Sequence, residues 1–264
     1  MDSPSGSGVL PRRLEYARDL VWELVLRDLK LRYKRSFLGI AWTLVNPLTQ
    51  LLVFDFVFRV LFRVETPNYT AFLFVGIVAW NWFNGALMQS TTAILENRDL
   101  VRQPGFPSVM LPNVAVASQL IHYLLTLPIL FGLLIVSGIP ITPMALWMIP
   151  IIAIQYLFSL ALSVYIAALH VTFRDTQYLL GIFLMLGFFM TPILYEVSIV
   201  PEAYLPIYDF NPMALLVHAY RDALLADQMP NLRALGIVTA TSVVLLVHGR
   251  RVFERASIRF AEEI

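Results

Sequence analysis

The sequence contains no cysteine, and charged residues make up only 14% of its 264 residues. The missing cysteine excludes disulfides, thiolate metal sites and cysteine nucleophiles. A soluble domain carries about 25% charged residues. This chain has far fewer, and 58% of its residues are hydrophobic. We therefore predict a polytopic membrane protein with no large soluble domain.

Motifs for nucleotide, metal or hydrolytic chemistry are absent as well. There is no GxxxxGK[ST] loop to hold ATP phosphates and no HExxH helix to hold zinc. The four histidines stand singly, without the spacing of metal ligands. The order of serines, histidines and acidic residues does not define a catalytic set. We predict no catalytic residue, no metal and no cofactor in this chain, and no nucleic-acid partner.

Six runs of the sequence are long and apolar enough to cross a bilayer, which takes about 20 residues of helix. The predicted fold is therefore all-α, with six transmembrane helices. The predicted spans are residues 38–62, 69–95, 109–136, 144–169, 178–195 and 232–248.

Lysine and arginine are distributed unequally between the two sides that six spans create. Fifteen of them fall on the side of the termini: Arg12, Arg13, Arg18, Arg27, Lys30, Arg32, Lys34, Arg35, Arg98, Arg102, Arg174, Arg250, Arg251, Arg255 and Arg259. Four fall on the other side: Arg59, Arg63, Arg221 and Arg233. Because basic residues collect in cytoplasmic segments, we predict that both termini are cytoplasmic.

Residues 27–47, RDLKLRYKRSFLGIAWTLVNP, pass from a basic amphipathic half to an apolar half. At about 100° per residue an apolar stripe separates from a charged stripe. The apolar stripe holds Trp22, Val25, Leu26, Leu29 and Tyr33, and the charged stripe holds Glu23, Arg27, Lys30 and Lys34. Such a helix lies on the membrane surface, and residues 36–39 form a hinge into the first span. A juxtamembrane helix that only sets topology is the alternative.

These patterns divide the chain into four parts. Residues 1–13 are predicted to be a disordered tail without a cleaved signal peptide, and residues 14–36 a cytoplasmic amphipathic interface helix. Residues 37–249 form the transmembrane domain, and residues 250–264 a cytoplasmic tail.

Prolines interrupt residues 197–229 and leave apolar runs too short to cross. We predict a re-entrant segment of two short helices beside an aqueous path; a surface-lying loop is the alternative.

Four stretches resemble the membrane subunits of ABC transporters that export polysaccharide, namely O-antigen, capsule or teichoic acid. They are RDLKLRYKRSFLGIAWTLVNPL from residue 27, LVRQPGFPSVMLP from residue 100, Phe173-Arg174-Asp175, and Asn211-Pro212 followed by Arg221. The resemblance implies a transport subunit of a bacterial inner membrane that is not itself an enzyme. Its implied partners are two copies of an ATPase that binds ATP and magnesium, a lipid-linked glycan and membrane lipids. Since six spans make half of a transport path, a homodimer is expected.

In the resembling family, two cytoplasmic loops and the interface helix dock on the ATPase. The residues expected to couple to the ATPase are Arg27, Lys30, Glu96, Arg98, Asp99, Phe173, Arg174 and Asp175. Plain solvated turns are the alternative for both loops. The resemblance also implies an outer gate in the segment predicted to be re-entrant, which we expect Asn211, Pro212 and Arg221 to form. Some relatives carry an acidic residue in this helix, whereas residues 215–221 read LLVHAYR here.

A basic cluster is expected at the cytoplasmic membrane surface, where a lipid-linked glycan presents its phosphate. Its residues are Arg32, Lys34, Arg35 and Arg102, with topology setting or anionic-lipid binding as the alternative. Flat rings and amides suit the faces and hydroxyl edges of sugars. The candidate channel residues are Trp80, Trp82, Phe83, Asn84, Tyr123, Phe188 and Tyr195. Interface belts and ordinary packing are the alternative.

Two further polar features receive structural interpretations. Asp55 and Arg59 lie four residues apart and are predicted to pair with each other, and His122 to bond across helices rather than to bind substrate. Three other functions stay open: an ABC permease for a drug or another lipid, an integral membrane transferase for glycosyl or acyl groups, and a passive scaffold.

Overall fold

The computed structural model describes residues 9–34, 39–63 and 66–263, with side chains for residues 18–34, 39–63 and 66–260. Within these ranges the chain forms helices and no strand, so the all-α prediction is confirmed. The α-helices are α1 Val9–Tyr33, α2 Trp42–Asp55, α3 Tyr69–Glu96, α4 Arg98–Val101, α5 Met110–Val136, α6 Met148–Thr172, α7 Thr176–Met190, α8 Leu205–Asp209, α9 Pro212–Leu224 and α10 Leu232–Glu263. A π-helix, Phe56–Leu61, extends α2, and short 3₁₀ helices lie at Gly39–Ala41, Pro143–Trp147, Val197–Ile199 and Glu202–Tyr204.

Among the described residues, five helical segments are long and apolar enough to cross a membrane: Gly39–Leu61, Tyr69–Glu96, Met110–Val136, Pro143–Thr172 and Leu232–Phe260. They correspond to predicted spans one to four and six. The chain is therefore a multi-pass membrane protein. The fifth predicted span, residues 178–195, is shorter in the structure, because α7 ends at Met190. Thr191 is extended, as expected for the residue that precedes Pro192.

Helix α3 forms the centre of the bundle and packs against α2, α5, α6, α7 and α9. Most of its side chains are buried, and those of Leu73, Phe74 and Ile77 are completely buried. Helices α6 and α10 pack against each other along their length. By contrast, Leu184 is the one buried residue of α7, so that helix lies at the edge of the bundle with most of its side chains exposed.

A second hydrophobic cluster surrounds α1 at one end of the bundle. Leu24 and Val25 of α1 meet Ile94 at the end of α3, Val171 at the end of α6 and Phe253 of α10. Leu100 and Val101 of α4 pack against the same cluster. We call this end of the bundle, where α1 meets α4 and the last turns of α3 and α6, the α1 end.

Both terminal parts differ from their predicted boundaries. The interface helix begins at Val9 rather than at residue 14, so residues 9–13 are helical instead of disordered; residues 1–8 lie outside the described ranges. A helix accepts Pro11 in its first turn because the backbone N–H groups there have no partner within the helix. At the other end, α10 continues through the predicted tail to Glu263. It continues because Phe253 and Phe260 are buried against the bundle.

The predicted hinge at residues 36–39 lies almost entirely outside the described residues. Its last residue, Gly39, has a φ of +50°, a left-handed conformation that glycine adopts without strain. The segment predicted to be re-entrant contains the two short helices α8 and α9, as expected for residues 197–229.

Candidate functional site

A cavity of about 580 Å³ lies between α2, α3, α5 and the last turn of α1. We call it the polar cavity, because amides, hydroxyls, an imidazole and a guanidinium line it. Its polar lining residues are Arg32, Tyr33, Thr43, Asn46, Gln50, Asn81, Asn84, Gln119, His122, Tyr123 and Thr126. Polar groups within membrane spans face the protein interior or water. This concentration of hydrogen-bonding groups makes the polar cavity the candidate site for a polar molecule.

The polar cavity arises from the helical spacing of polar residues in apolar spans. On α2, Thr43, Asn46 and Gln50 follow one another at intervals of three and four residues. On α5, Gln119 and His122 are three residues apart. Residues three and four apart share a helix face. Each span thus turns one polar stripe toward the cavity and its apolar faces elsewhere.

A chain of side-chain hydrogen bonds connects α1 to the cavity wall. Gln89 of α3 is its centre: its Oε1 accepts from Arg32 Nη2 at 3.0 Å, and its Nε2 donates to Asp28 Oδ2 at 2.9 Å. Gln119 Nε2 donates to the same Oε1 at 2.7 Å. Two charged residues of α1 are therefore joined to α5 through one amide of α3.

Tyr33 makes the second connection between α1 and the cavity. Its hydroxyl lies 2.8 Å from His122 Nε2 of α5 and 2.5 Å from Thr43 Oγ1 of α2. The two rings meet edge to face, with centroids 5.8 Å apart. The prediction that His122 bonds across helices is confirmed.

A second cavity of about 380 Å³ adjoins the first between α2, α3 and α7. We call it the aromatic groove, because Phe54, Trp80, Phe188 and Phe189 line it. Phe188 lies 5.8 Å from Phe54 and 6.0 Å from Trp80 between ring centroids. Three amides, Gln50, Asn81 and Asn84, line both cavities. Asn81 Nδ2 donates to Gln50 Oε1 at 2.8 Å, so these side chains form the boundary between the two.

The structure brings together five of the seven candidate channel residues. Trp82 and Tyr123, with ring centroids 4.9 Å apart, line the polar cavity; Trp80 and Phe188 line the aromatic groove; and Asn84 lines both. Two candidates lie in neither cavity. Phe83 stacks on Phe158 of α6 at 5.6 Å. The hydroxyl of Tyr195 donates to the carbonyl oxygen of Phe189 at 2.8 Å, beyond the end of α7.

The candidate ATPase-coupling residues gather at the α1 end. Glu96, Arg98 and Asp99 are exposed around α4, and Phe173, Arg174 and Asp175 are exposed in the turn between α6 and α7. Arg27 of α1 donates a hydrogen bond to Asn97 Oδ1 beside α4, and Lys30 is exposed on the same helix. The first loop and α1 are thus physically connected, and their coupling role stays a prediction.

The candidate phosphate-binding residues separate in the structure. Arg32 lines the polar cavity. Lys34 and Arg102 are exposed and line neither the polar cavity nor the aromatic groove. Arg35 lies outside the described residues. Of the three members that the structure describes, Arg32 is therefore the one that reaches the polar cavity.

The candidate outer-gate residues form a structural unit at α9. Asn211 caps this helix: its Oδ1 accepts from the backbone N–H groups of Met213 at 3.0 Å and Ala214 at 3.3 Å. Pro212 takes the first helical position, where a missing N–H costs nothing. Arg221 is buried and donates to the carbonyl oxygens of Phe72, Pro192 and Ile193. None of the three lines the polar cavity or the aromatic groove, so their gating role stays a prediction.

Asp55 and Arg59 form the predicted pair, with Arg59 Nη1 3.8 Å from Asp55 Oδ2. Thr70 of α3 joins them by donating to Asp55 Oδ1 at 2.6 Å. The pair is thus satisfied within the protein near the end of the first span.

Sequence reasoning missed several residues of the polar cavity, above all Asn46, Gln50, Gln119 and Thr126. Each belongs to a polar stripe at helical spacing inside an apolar span. That spacing is visible in the sequence and is the signal that identifies them.

The fold and the site define a class: a multi-pass helical membrane protein with a polar cavity enclosed by its spans, as membrane transport subunits have. The sequence profile of the family described as ABC-2 type transporter matches residues 19–225. The chain belongs to this family and is a membrane transport subunit. The O-antigen export system permease protein RfbA of Myxococcus xanthus is 37% identical over 261 residues, covering 97% of this chain and 99% of that protein. A protein of the same name from Klebsiella pneumoniae is 34% identical over 250 residues, covering 94% of this chain and 96% of that protein.

Proposed function

We propose that this chain is the membrane subunit of an ATP-driven exporter of lipid-linked polysaccharide of the O-antigen, capsule or teichoic-acid type. The observation that carries the proposal is the junction of the polar cavity and the aromatic groove at Gln50, Asn81 and Asn84. A glycan needs hydrogen-bonding groups along its edges and flat apolar surfaces against its C–H faces. The junction offers amides on one side and rings on the other. The names of the relatives support the same substrate class.

The proposed transporter is a homodimer with two-fold symmetry. Helix α7 supports this arrangement, because Leu179, Phe183 and Leu186 are among its exposed apolar side chains. The aromatic groove opens between α2 and α7. A second copy on this face would close the groove into a path between the subunits, lined by the first, second and fifth spans.

Both termini and the α1 end are proposed to face the cytoplasm of a bacterium, with the chain in its inner membrane. The charge distribution supports this orientation, because α1, α4, the turn after α6 and the last part of α10 together carry 12 of the 19 lysines and arginines. In this orientation α1 is the interface helix, and the segment that contains α8 and α9 is re-entrant from the outer leaflet.

Two copies of an ABC ATPase, which bind ATP and magnesium, are proposed to dock on α1, α4 and the turn after α6. Arg32 would meet the lipid phosphate at the polar cavity. ATP binding would shift the population toward a path open to the outside. The hydrogen bonds from Asp28 and Arg32 to Gln89 support this coupling, since they link α1 to the cavity wall. The segment from Asn211 to Arg221 would gate the outer end.

The experiment combines ATP hydrolysis with glycan export. The chain is produced with any ABC ATPase encoded beside it, purified in nanodiscs and assayed for hydrolysis; surface glycan is measured in cells that lack the native exporter. We expect Asn84→Trp to block export, because Asn84 lines both cavities. Its matched control is Val244→Trp, at an exposed position on α10. Arg98→Ala with Asp99→Ala should lower hydrolysis while the complex stays assembled.

Three outcomes contradict the proposal. If the chain does not associate stably with an ATPase, the transferase and the scaffold become the favoured functions. If hydrolysis depends on the chain but surface glycan does not, the permease for a drug or another lipid is favoured. If Val244→Trp blocks export as strongly as Asn84→Trp does, the cavities are not the path.

A further inference from the structure

A third cavity, of about 810 Å³, lies on the other side of α5 from the polar cavity. We call it the lateral groove; α1, α5, α6 and α10 form its walls. On α5, Ala117, Leu120 and Leu124 line it, whereas Gln119 and His122 line the polar cavity. At about 100° per residue these two sets occupy opposite faces of the helix. The lateral groove is therefore separate from the site proposed for the glycan.

The lining of the lateral groove changes from charged to apolar. Arg18 of α1 and Arg250 of α10 are exposed at its edge. Its other lining residues are predominantly apolar, with Trp22, Val25, Leu160 and Leu246 among them. Arg250 lies one turn beyond Leu246 toward the end of α10 that reaches the α1 end. The groove thus has a basic mouth at the α1 end and an apolar interior.

The length of the groove matches one leaflet of a bilayer. Its lining on α5 runs from Val109 to Leu124, a distance of about 22 Å at 1.5 Å per helical residue. One leaflet with its headgroup region is about 20–22 Å thick. Leu124, 45% exposed, lies at the deep end, and Trp22, 58% exposed, lies near the basic mouth, where tryptophan commonly marks the membrane interface.

We propose that the lateral groove holds a resident anionic glycerophospholipid, with its phosphate at Arg18 and Arg250 and its acyl chains along α5. Basic pockets between membrane helices on the cytoplasmic side characteristically bind anionic headgroups. Asp19 also lines the mouth, and Arg18 Nη2 lies 2.9 Å from Asp19 Oδ1. Both side chains of that pair are more than 60% exposed, so the pair is weak and a phosphodiester competes for the arginine. With Arg250, the mouth keeps a net positive charge.

This lipid is a structural partner and not the transported substrate. The lipid would contact both α1 and α10. It would thereby add to the apolar side chains through which α1 packs against the bundle. The proposal depends on the proposed topology only for the identity of the leaflet. Its test needs neither an ATPase nor a glycan, so a negative transport result leaves it standing.

The test is a lipid titration of the purified, delipidated chain, with the thermal unfolding midpoint as readout. Dioleoylphosphatidylglycerol is compared with zwitterionic dioleoylphosphatidylcholine. The first should raise the midpoint at lower concentration. In Arg18→Gln with Arg250→Gln, the half-saturating phosphatidylglycerol concentration should rise about thirtyfold, since each arginine near an anionic surface contributes a factor of about five. The matched control is Arg251→Gln with Arg255→Gln, two exposed arginines of α10 outside the groove; it should leave the curve within about twofold.

A second variant tests the apolar part of the groove without changing charge. Ala117→Phe should weaken binding of both lipids, because Ala117 lines the interior. Equal effects of the two lipids on the starting chain, or equal losses in the two double variants, would overturn the proposal. A cross-link from Leu124→Cys to a second protein chain would overturn it too, because protein rather than lipid then covers the groove. The native chain has no cysteine to interfere.

Discussion

Arg221 of α9 lies over the ring of Phe72 in α3, with its guanidinium carbon 3.4 Å from the ring centroid. The same guanidinium donates to the carbonyl oxygen of Phe72 at 3.2 Å. It also donates to the carbonyls of Pro192 at 2.5 Å and Ile193 at 2.9 Å. One buried cation therefore fixes α9 and the loop after α7 against the central helix.

Replacing Arg221 should destabilise the protein strongly. Arg221→Met leaves the carbonyl oxygens of Phe72, Pro192 and Ile193 without these donors, and each unsatisfied buried acceptor costs about 1–3 kcal/mol. We expect a loss of about 2–5 kcal/mol, measured as a lower thermal unfolding midpoint in detergent. Arg221→Lys should recover only a minor part, because a single ammonium group does not reproduce the planar fork. The control is Arg233→Met at an exposed position of α10. Equal midpoints for the Arg221 and Arg233 variants would contradict the assigned role.

Gly85→Ala tests the amide chain beside the polar cavity. A Cβ at Gly85 would lie 2.6 Å from Gln119 Oε1, so the flexible end of the Gln119 side chain must shift, which disturbs its 2.7 Å hydrogen bond to Gln89. We expect ATP-dependent export to fall severalfold. Loss of one hydrogen bond costs about 0.5–1.5 kcal/mol and offsets the gain of up to about 1 kcal/mol that alanine brings to a helix interior, so the unfolding midpoint should lie below that of Gly132→Ala.

Gly132→Ala is the matched control for Gly85→Ala. Gly132 lies on α5, the helix that carries Gln119, and a Cβ there meets no atom within 4 Å. Alanine at an open helical position stabilises by up to about 1 kcal/mol. If export and the unfolding midpoint change equally in Gly85→Ala and Gly132→Ala, the close contact between Gly85 and Gln119 is not required for export.

Tyr33→Phe tests the connection between α1 and the spans. It removes the hydroxyl that lies 2.8 Å from His122 Nε2 and 2.5 Å from Thr43 Oγ1, while the ring stays. We expect ATP hydrolysis to continue and glycan export per ATP to fall severalfold, because α1 loses its hydrogen bond to α2 and one of its two hydrogen-bonded connections to α5. Parallel measurement of hydrolysis and surface glycan checks this. Tyr204→Phe, at a 58% exposed ring, is the control and should change neither. A proportional loss of hydrolysis and export in Tyr33→Phe would show that the hydroxyl does not couple them.

Much of the fold follows from local sequence patterns. The long spans are visible because hydrophobicity accumulates over about 20 residues, and an error of a few residues at each end leaves the pattern intact. The pair of Asp55 and Arg59 follows from their spacing on one helix. The ends of α7 and α10 were harder to predict from the sequence, because contacts with the rest of the protein decide where these helices end. Phe253 and Phe260 bury themselves and prolong α10, whereas the extended Thr191 before Pro192 ends α7 early.

The candidate site was predictable only in part, for a different reason. Neighbouring aromatics on one helix point in different directions, and only the positions of other helices decide which of them meets a cavity. Thus Trp82 faces the polar cavity while Phe83 stacks on Phe158. The sequence alone does not give the positions of the other helices, so it does not show that Trp82 faces a cavity and Phe83 does not. Gln50 and Gln119 belong to polar residues at helical spacing, which the sequence shows. That these residues line one cavity follows only from the packing of α2 and α5 around the same space.

Helix α10 runs without interruption from Leu232 to Glu263, and at 1.5 Å per residue it is about 48 Å long. That exceeds the full thickness of a bilayer with its headgroups, about 40–45 Å. Gly249 lets it approach the ring of Tyr165 so closely that a Cβ would lie 2.8 Å from Cε2 of the ring. Further along, Phe253 and Phe260 pack into the cluster that holds α1. The last helix therefore joins the cluster around α1 to the far end of the bundle as one continuous element, so the two ends of α10 do not change position independently unless the helix bends.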